Sequence, residues 1–200
     1  VADYLAAFVA GRQGNYLAFF PSYAYMENVK GIFEAKSTAK LVCQERSMTE
    51  PQKEEFLESF SQENEETQIG FCVMGGIFSE GIDLTDDRLI GAAIVGTGLP
   101  MVCNERELFH RYYDAVKGHG FDYAYLYQGM NKVLQSGGRV IRTATDRGII
   151  LLLDERFLGR SYQELFPREW YPYEVVDKEQ MEKKIQEKNL GQLLELTKRF

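Results

Sequence analysis

Long apolar runs are missing from this chain of 200 residues. No stretch approaches the roughly 18 to 20 apolar residues that a membrane span requires, so a spanning helix is not expected. A basic leader with an apolar core is missing too: the chain opens on Val1, no secretory signal is predicted, a cytoplasmic location is expected, and the sequence reads as a piece of a longer protein. Cysteine is scarce, and Cys43, Cys72 and Cys103 lie far apart, each in or beside an apolar segment. That pattern excludes a disulfide framework and predicts reduced core thiols. Only two histidines, His110 and His119, are present, and neither stands at ligand spacing from a cysteine, so no metal site is expected. Nor is there a Ser-His-Asp or Cys-His grouping, which argues against a free-standing α/β enzyme in which Asp83 or Asp154 serves a different chemistry.

Two nucleotide signatures are also absent. The sequence holds no G-x-x-x-x-G-K-[ST], whose amides and lysine would cradle the β- and γ-phosphates, and no D-E-x-H. The stretch I-I-L-L-L-D-E (Ile149 to Glu155) imitates an apolar strand ending in magnesium carboxylates. Without the phosphate loop such a carboxylate has no nucleotide to serve.

What is there describes one ordinary folded domain: 44% apolar and 26% charged residues, with a formal net charge of −7. The acid concentrates in Glu50 to Glu66 and Asp177 to Glu195, whereas Arg139 to Arg147 carries three arginines against Asp146. Phosphate contacts dominate nucleic-acid affinity, so this balance predicts weak DNA binding by the piece alone.

Helix and strand signals alternate, the pattern of an α/β fold around a mainly parallel sheet. Strands are predicted at Asn15–Phe20, Lys40–Cys43, Gln68–Met74, Leu89–Val95 and Ile149–Leu153, the last of these taken as the final central strand. Ser22 is placed to cap a helix running to about Phe33. Thr49 with Gln52 predicts a capping box for a helix to about Phe60, and Asn104 with Glu107 predicts another for a helix ending near Gly118. A further helix, Tyr123–Gln135, leads into an arginine motif. Gly75 and Gly76 predict a sharp turn. From about Asp177 the chain reads as a charged helix broken at Gly191, so residues 1–175 are expected to form the main domain and 176–200 a helix packed on it.

Q-S-G-G-R-V-I-R (Gln135 to Arg142) places Arg139 and Arg142 three residues apart. On a helix they would project from one side, and planar guanidinium forks suit a phosphoryl group. Upstream lie F-P-S-Y (Phe20 to Tyr23) and G-x-x-S-E-G-I-D (Gly76 to Asp83). Ser22 reads equally well as a plain helix cap, and Tyr23 as a packing residue. In parallel sheets ligands gather at the carboxyl ends of the strands, where these segments are expected to fall.

Taken together, the three segments resemble motifs IV, V and VI of the second motor lobe of superfamily 2 DNA helicases of the XPD/DinG type. Asp146 with Gly148, and Asp154, Arg156 and Phe157, are similar to the D-x-G and D-x-R-F that follow motif VI. The resemblance covers residues 10 to 160 and implies a RecA-like domain, a P-loop NTPase fold without its own P-loop. It implies arginine fingers at Arg139 and Arg142, lobe coupling at Gln135, and nucleotide proximity for Gly81, Asp83 and Gly138. Ser22, Tyr23, Ser79 and Glu80 are expected to face single-stranded DNA. Asp146 and Asp154 are expected to be structural partners. ATP and Mg2+ would be held with an N-terminal lobe of the same polypeptide, any iron–sulfur cluster would belong to that lobe, and translocation would run 5′ to 3′ in repair or replication. The alternative from the residues alone is a non-catalytic nucleic-acid or phosphate-binding module that keeps the fold.

Overall fold

The computed structural model describes residues 1–61, 64–79, 88–140, 148–187 and 194–197. Its centre is a parallel sheet. After α1 (Ala2–Ala10) come β1 (Asn15–Phe20), α2 (Tyr23–Glu34), β2 (Lys40–Cys43), α3 (Glu50–Glu58), β3 (Gln68–Val73) and β4 (Gly91–Val95). There follow α4 (Asn104–Lys117), α5 (Tyr127–Gly137), β5 (Ile149–Leu153), the short α6 (Arg160–Gln163), β6 (Glu174–Val175), α7 (Lys178–Glu187) and β7 (Leu194–Thr197). Strand order is β2-β3-β1-β4-β5-β7-β6, and each recorded pairing is parallel.

Strands buried on both faces need no polar alternation, and β1, β4 and β5 are buried at every position. Successive side chains still alternate between two cores. Tyr16, Ala18 and Phe20 face one side with Phe71, Ala93 and Leu151, covered by α1 and α2. Leu17 and Phe19 face the other with Cys72, Ile94 and Leu152, covered by Phe56, Met130, Val133 and Trp170. Phe71 lies between Phe20 and Phe33, with ring centroids 4.7 and 5.2 Å away.

Ser22 caps α2 as predicted, its hydroxyl accepting from Tyr25 N–H at 3.2 Å. Gln52 Oε1 accepts from Thr49 N–H at 2.8 Å, the returning half of the predicted box. The expected box at Asn104 is corrected: Cys103 is the N-cap, Asn104 is already helical, and Glu107 accepts the Tyr125 hydroxyl at 2.5 Å. That bond pushes the Tyr125 phenol up to about 12. The helix expected from Tyr123 begins as a wider-wound turn, Asp122–Leu126, before α5.

The C-terminal segment also departs from expectation. The charged helix is described over Lys178–Glu187, and Leu194–Thr197 is a strand that pairs with β5 and β6, so β5 is not the last strand of the sheet. L-E-L-T alternates as a strand does, but four residues are too few to betray one beside a Lys- and Glu-rich helix. Met181 is fully buried on α7, which lies against α1. Gly191 lies outside the described residues.

Candidate nucleotide and nucleic-acid interface

Beyond β3 the chain turns through Gly75 and Gly76. Gly75 has φ +69°, a left-handed conformation that favours glycine. A Cβ on Gly76 would stand 2.7 Å from Gln44 Nε2 and 2.9 Å from the Val73 carbonyl oxygen, so this position must also lack a side chain. Ser79 closes the turn. Its hydroxyl accepts from Gly75 N–H at 2.9 Å and donates to the Val73 carbonyl at 3.1 Å, fully buried. The sequence reading turned Ser79 toward nucleic acid; in this conformation its side chain points into the turn.

Arg139 does not sit on a helix, which corrects the expected geometry. α5 ends at Gly137, Gly138 is its C-cap, and Arg139 follows in a tight turn with its N–H donating to the Ser136 carbonyl at 3.3 Å. Two successive glycines weaken helix there. Gly137 in turn lets the helix end approach Trp170, 2.9 Å from where a Cβ would stand. Arg139 is half-buried, and its Nη2 donates to the Ser79 carbonyl at 2.7 Å. Sixty residues of sequence separate these groups, yet the fold brings the arginine motif against the motif V turn. Gln135 is exposed on the last turn of α5. Glu80, Gly81, Asp83, Arg142 and Asp146 lie outside the described residues.

At the carboxyl ends of β1, β4 and β5 opens a cleft of about 690 Å³, lined by Pro21, Tyr25, Gly96 to Leu99 and Asp154 to Arg156. Ser22 is exposed beside it, and Tyr25 is 40% exposed. Tyr23 is more firmly held: its hydroxyl donates to the Glu45 carbonyl at 3.1 Å and accepts from Gln44 Nε2 at 2.7 Å, while the Arg46 guanidinium lies 5.0 Å from the ring centroid.

Asp154 resolves the imitation of a magnesium site. Both carboxylate oxygens are engaged by Arg156, Oδ1 with Nε at 2.8 Å and Oδ2 with Nη2 at 2.6 Å. Oδ1 also accepts Arg156 N–H at 2.9 Å, capping the turn Glu155–Leu158. The hydrogen bonds that Arg156 donates to Asp154 push its guanidinium still further up. This carboxylate orients an arginine, the arrangement expected of a structural partner.

Gln44 is a residue the sequence reading missed. It is 2% exposed and joins the turn to Tyr23. Its only signal was a polar residue continuing the apolar strand K-L-V-C.

Similarity to known proteins agrees with this architecture. The model of the helicase C-terminal domain family matches residues 5–173. The ATP-dependent DNA helicase CHL1 of Yarrowia lipolytica is 30% identical over 170 residues, covering 70% of this chain and 21% of its own length. The ATP-dependent DNA helicase YoaA of Haemophilus influenzae is 25% identical over 169 residues, covering 83% and 25%. A solved XPD helicase superposes with a TM-score of 0.64 at 22% identity over 82% of this chain and 29% of its own, a likeness of fold. An apo XPD structure gives 0.65 at 20%, over 82% and 33%. The chain spans about a fifth to a quarter of the length of these curated relatives. A parallel sheet of this order, the three signatures and the family match together establish that the chain belongs to the helicase C-terminal domain family, as a RecA-like lobe of the XPD/DinG type.

Proposed function

We propose that this chain is the second motor lobe of an ATP-dependent DNA helicase, closing over a nucleotide held by an N-terminal lobe of the same polypeptide. The observation that carries the proposal is the 2.7 Å contact between Arg139 and the Ser79 carbonyl, which sets the motif VI arginine against the motif V turn. Lobe closure would carry the guanidinium to the phosphoryl group, where it stabilises the charge gathering in the transition state. Arg139 and Arg142 act as the fingers, an effect on the order of 10³ to 10⁵ in rate where such arginines have been removed or supplied. Gln135 couples the lobes, and Gly81, Asp83 and Gly138 lie near the nucleotide.

Phosphate cradle and magnesium ligands come from the other lobe, since Asp154 is committed to Arg156. Any iron–sulfur cluster belongs there as well. Residues 1–200 alone hydrolyse no ATP. Single-stranded DNA crosses the exposed start of α2 at Ser22 and Tyr23 and continues past Glu80, with Ser79 setting the turn. Movement is 5′ to 3′, in repair or replication, and the protein is cytoplasmic.

Steady-state ATP hydrolysis by the intact protein, with and without single-stranded DNA, tests this reading. Strong stimulation by DNA is expected, together with weak binding by residues 1–200 whose salt dependence has a log–log slope of about −0.7 per phosphate contact for only a few contacts. DNA-independent hydrolysis, or tight salt-insensitive binding by this lobe, would contradict it.

A further inference from the structure

Gln44 follows β2 directly and is buried, yet both ends of its side chain are engaged. Oε1 accepts from Val73 N–H at 3.0 Å, and Nε2 donates to Tyr23 Oη at 2.7 Å. A backbone N–H can only donate, so the orientation of the amide is fixed by its partner. The Tyr23 proton then points onward to the Glu45 carbonyl. From Val73 the bonds continue through its carbonyl to the Ser79 hydroxyl at 3.1 Å, and from the Ser79 carbonyl to Arg139 at 2.7 Å. Tyr23, at the start of the helix proposed to face DNA, is thus joined to Arg139 by an unbroken series of contacts, with Gln44 as its second member. The absence of a side chain at Gly76 makes the room that Gln44 occupies.

We infer that Gln44 is a positioning residue for DNA-stimulated ATP hydrolysis, transmitting the engagement of DNA at the start of α2 to the turn that holds Arg139. This rests on the motor reading above. Gln44 touches neither ligand. Its contribution comes from holding Tyr23 and the Val73 amide in one register, because a buried amide hydrogen-bonded at both ends has few alternative arrangements. Movement at the tyrosine is therefore felt at the turn. The decisive readout is the dependence of one site on the other.

Two variants in the intact protein separate the arms. Gln44→Glu keeps an acceptor for Val73 N–H but replaces the donor to Tyr23 with a second acceptor. Gln44→Met removes both contacts at similar volume. The measured quantities are kcat for ATP without DNA, kcat at saturating single-stranded DNA, the DNA concentration giving half stimulation, and the thermal unfolding midpoint. DNA stimulation is expected to fall about fivefold in Gln44→Glu and about tenfold or more in Gln44→Met, while the DNA-independent kcat stays within about twofold. Full stimulation in Gln44→Glu, or equal loss of both rates at an unchanged unfolding midpoint, would overturn the inference. If Gln44→Met fails to fold, Gln44→Glu alone decides. A wild-type protein that DNA does not stimulate would instead sink the motor reading, whereas a stimulated wild type with an equally stimulated Gln44→Glu would sink only the role of Gln44.

Discussion

The turn behind β3 and the helix α4 handle polarity in opposite ways. At the turn, polar groups are inside: Gln44 and Ser79 are buried, and each has its hydrogen-bonding partners. On α4 apolar groups are outside: Leu108, Tyr112 and Val116 are 66, 61 and 57% exposed, and the helix has no buried residue. Its rings pack locally instead, with Tyr113 stacked on Tyr123 at 4.3 Å. The contrast teaches that hydrophobicity locates the sheet but does not locate the working parts of the lobe. A buried amide with matched partners holds geometry, because any displacement leaves a donor or acceptor unmet. An exposed aromatic surface constrains the fold little.

The largest expected contrast is in stability. Phe71, wholly buried between Phe20 and Phe33, should cost about 3 to 5 kcal/mol on truncation to alanine. Denaturant unfolding checks it, and a cost below about 1 kcal/mol would mean the aromatic core is not packed as described.

An intermediate effect belongs to the thiols. Burial pushes the Cys43 thiol up to about 11, raises Cys72 well above its ordinary value and raises the Tyr16 phenol. A raised folded value means that the neutral group is favoured by folding. Its stabilisation is complete below the unfolded thiol value of about 8.5 and is lost as pH climbs through the folded one. Stability should therefore decline as pH rises from that value toward about 11. Since thiolate is the reacting form, exposed Cys103 should be alkylated first in the native protein, and Cys43 and Cys72 much more slowly. Simultaneous labelling of all three would break this ordering.

Tyr112→Ala on α4 should change stability least, by no more than about 0.5 kcal/mol. A loss comparable with that of Phe71→Ala would show that α4 belongs to the core.

The sheet was legible in the sequence because parallel strands covered on both faces leave continuous apolar runs. Asn15–Phe20, Lys40–Cys43 and Ile149–Leu153 fall on the predicted bounds. The opening helix, Ala2–Ala10, was not legible, for its N-cap is Val1 and no side chain caps it. Leu194–Thr197 was hidden by its shortness. At the candidate site, the motifs were visible one by one, including Gly75 and Gly76 as a turn. The termination of α5 before Arg139 was not anticipated, because charge spacing suggested a helix where two glycines end it. Gln44 could not have been found from local pattern: its partners Tyr23 and Val73 stand 21 and 29 residues away.

Arg139→Ala in the intact protein tests the central claim most directly, by comparing nucleotide binding with DNA-stimulated turnover. The account predicts nucleotide affinity within about threefold of the wild type and a fall in kcat on the order of 10³ or more, since a finger acts on the transition state. Near-normal turnover would contradict it.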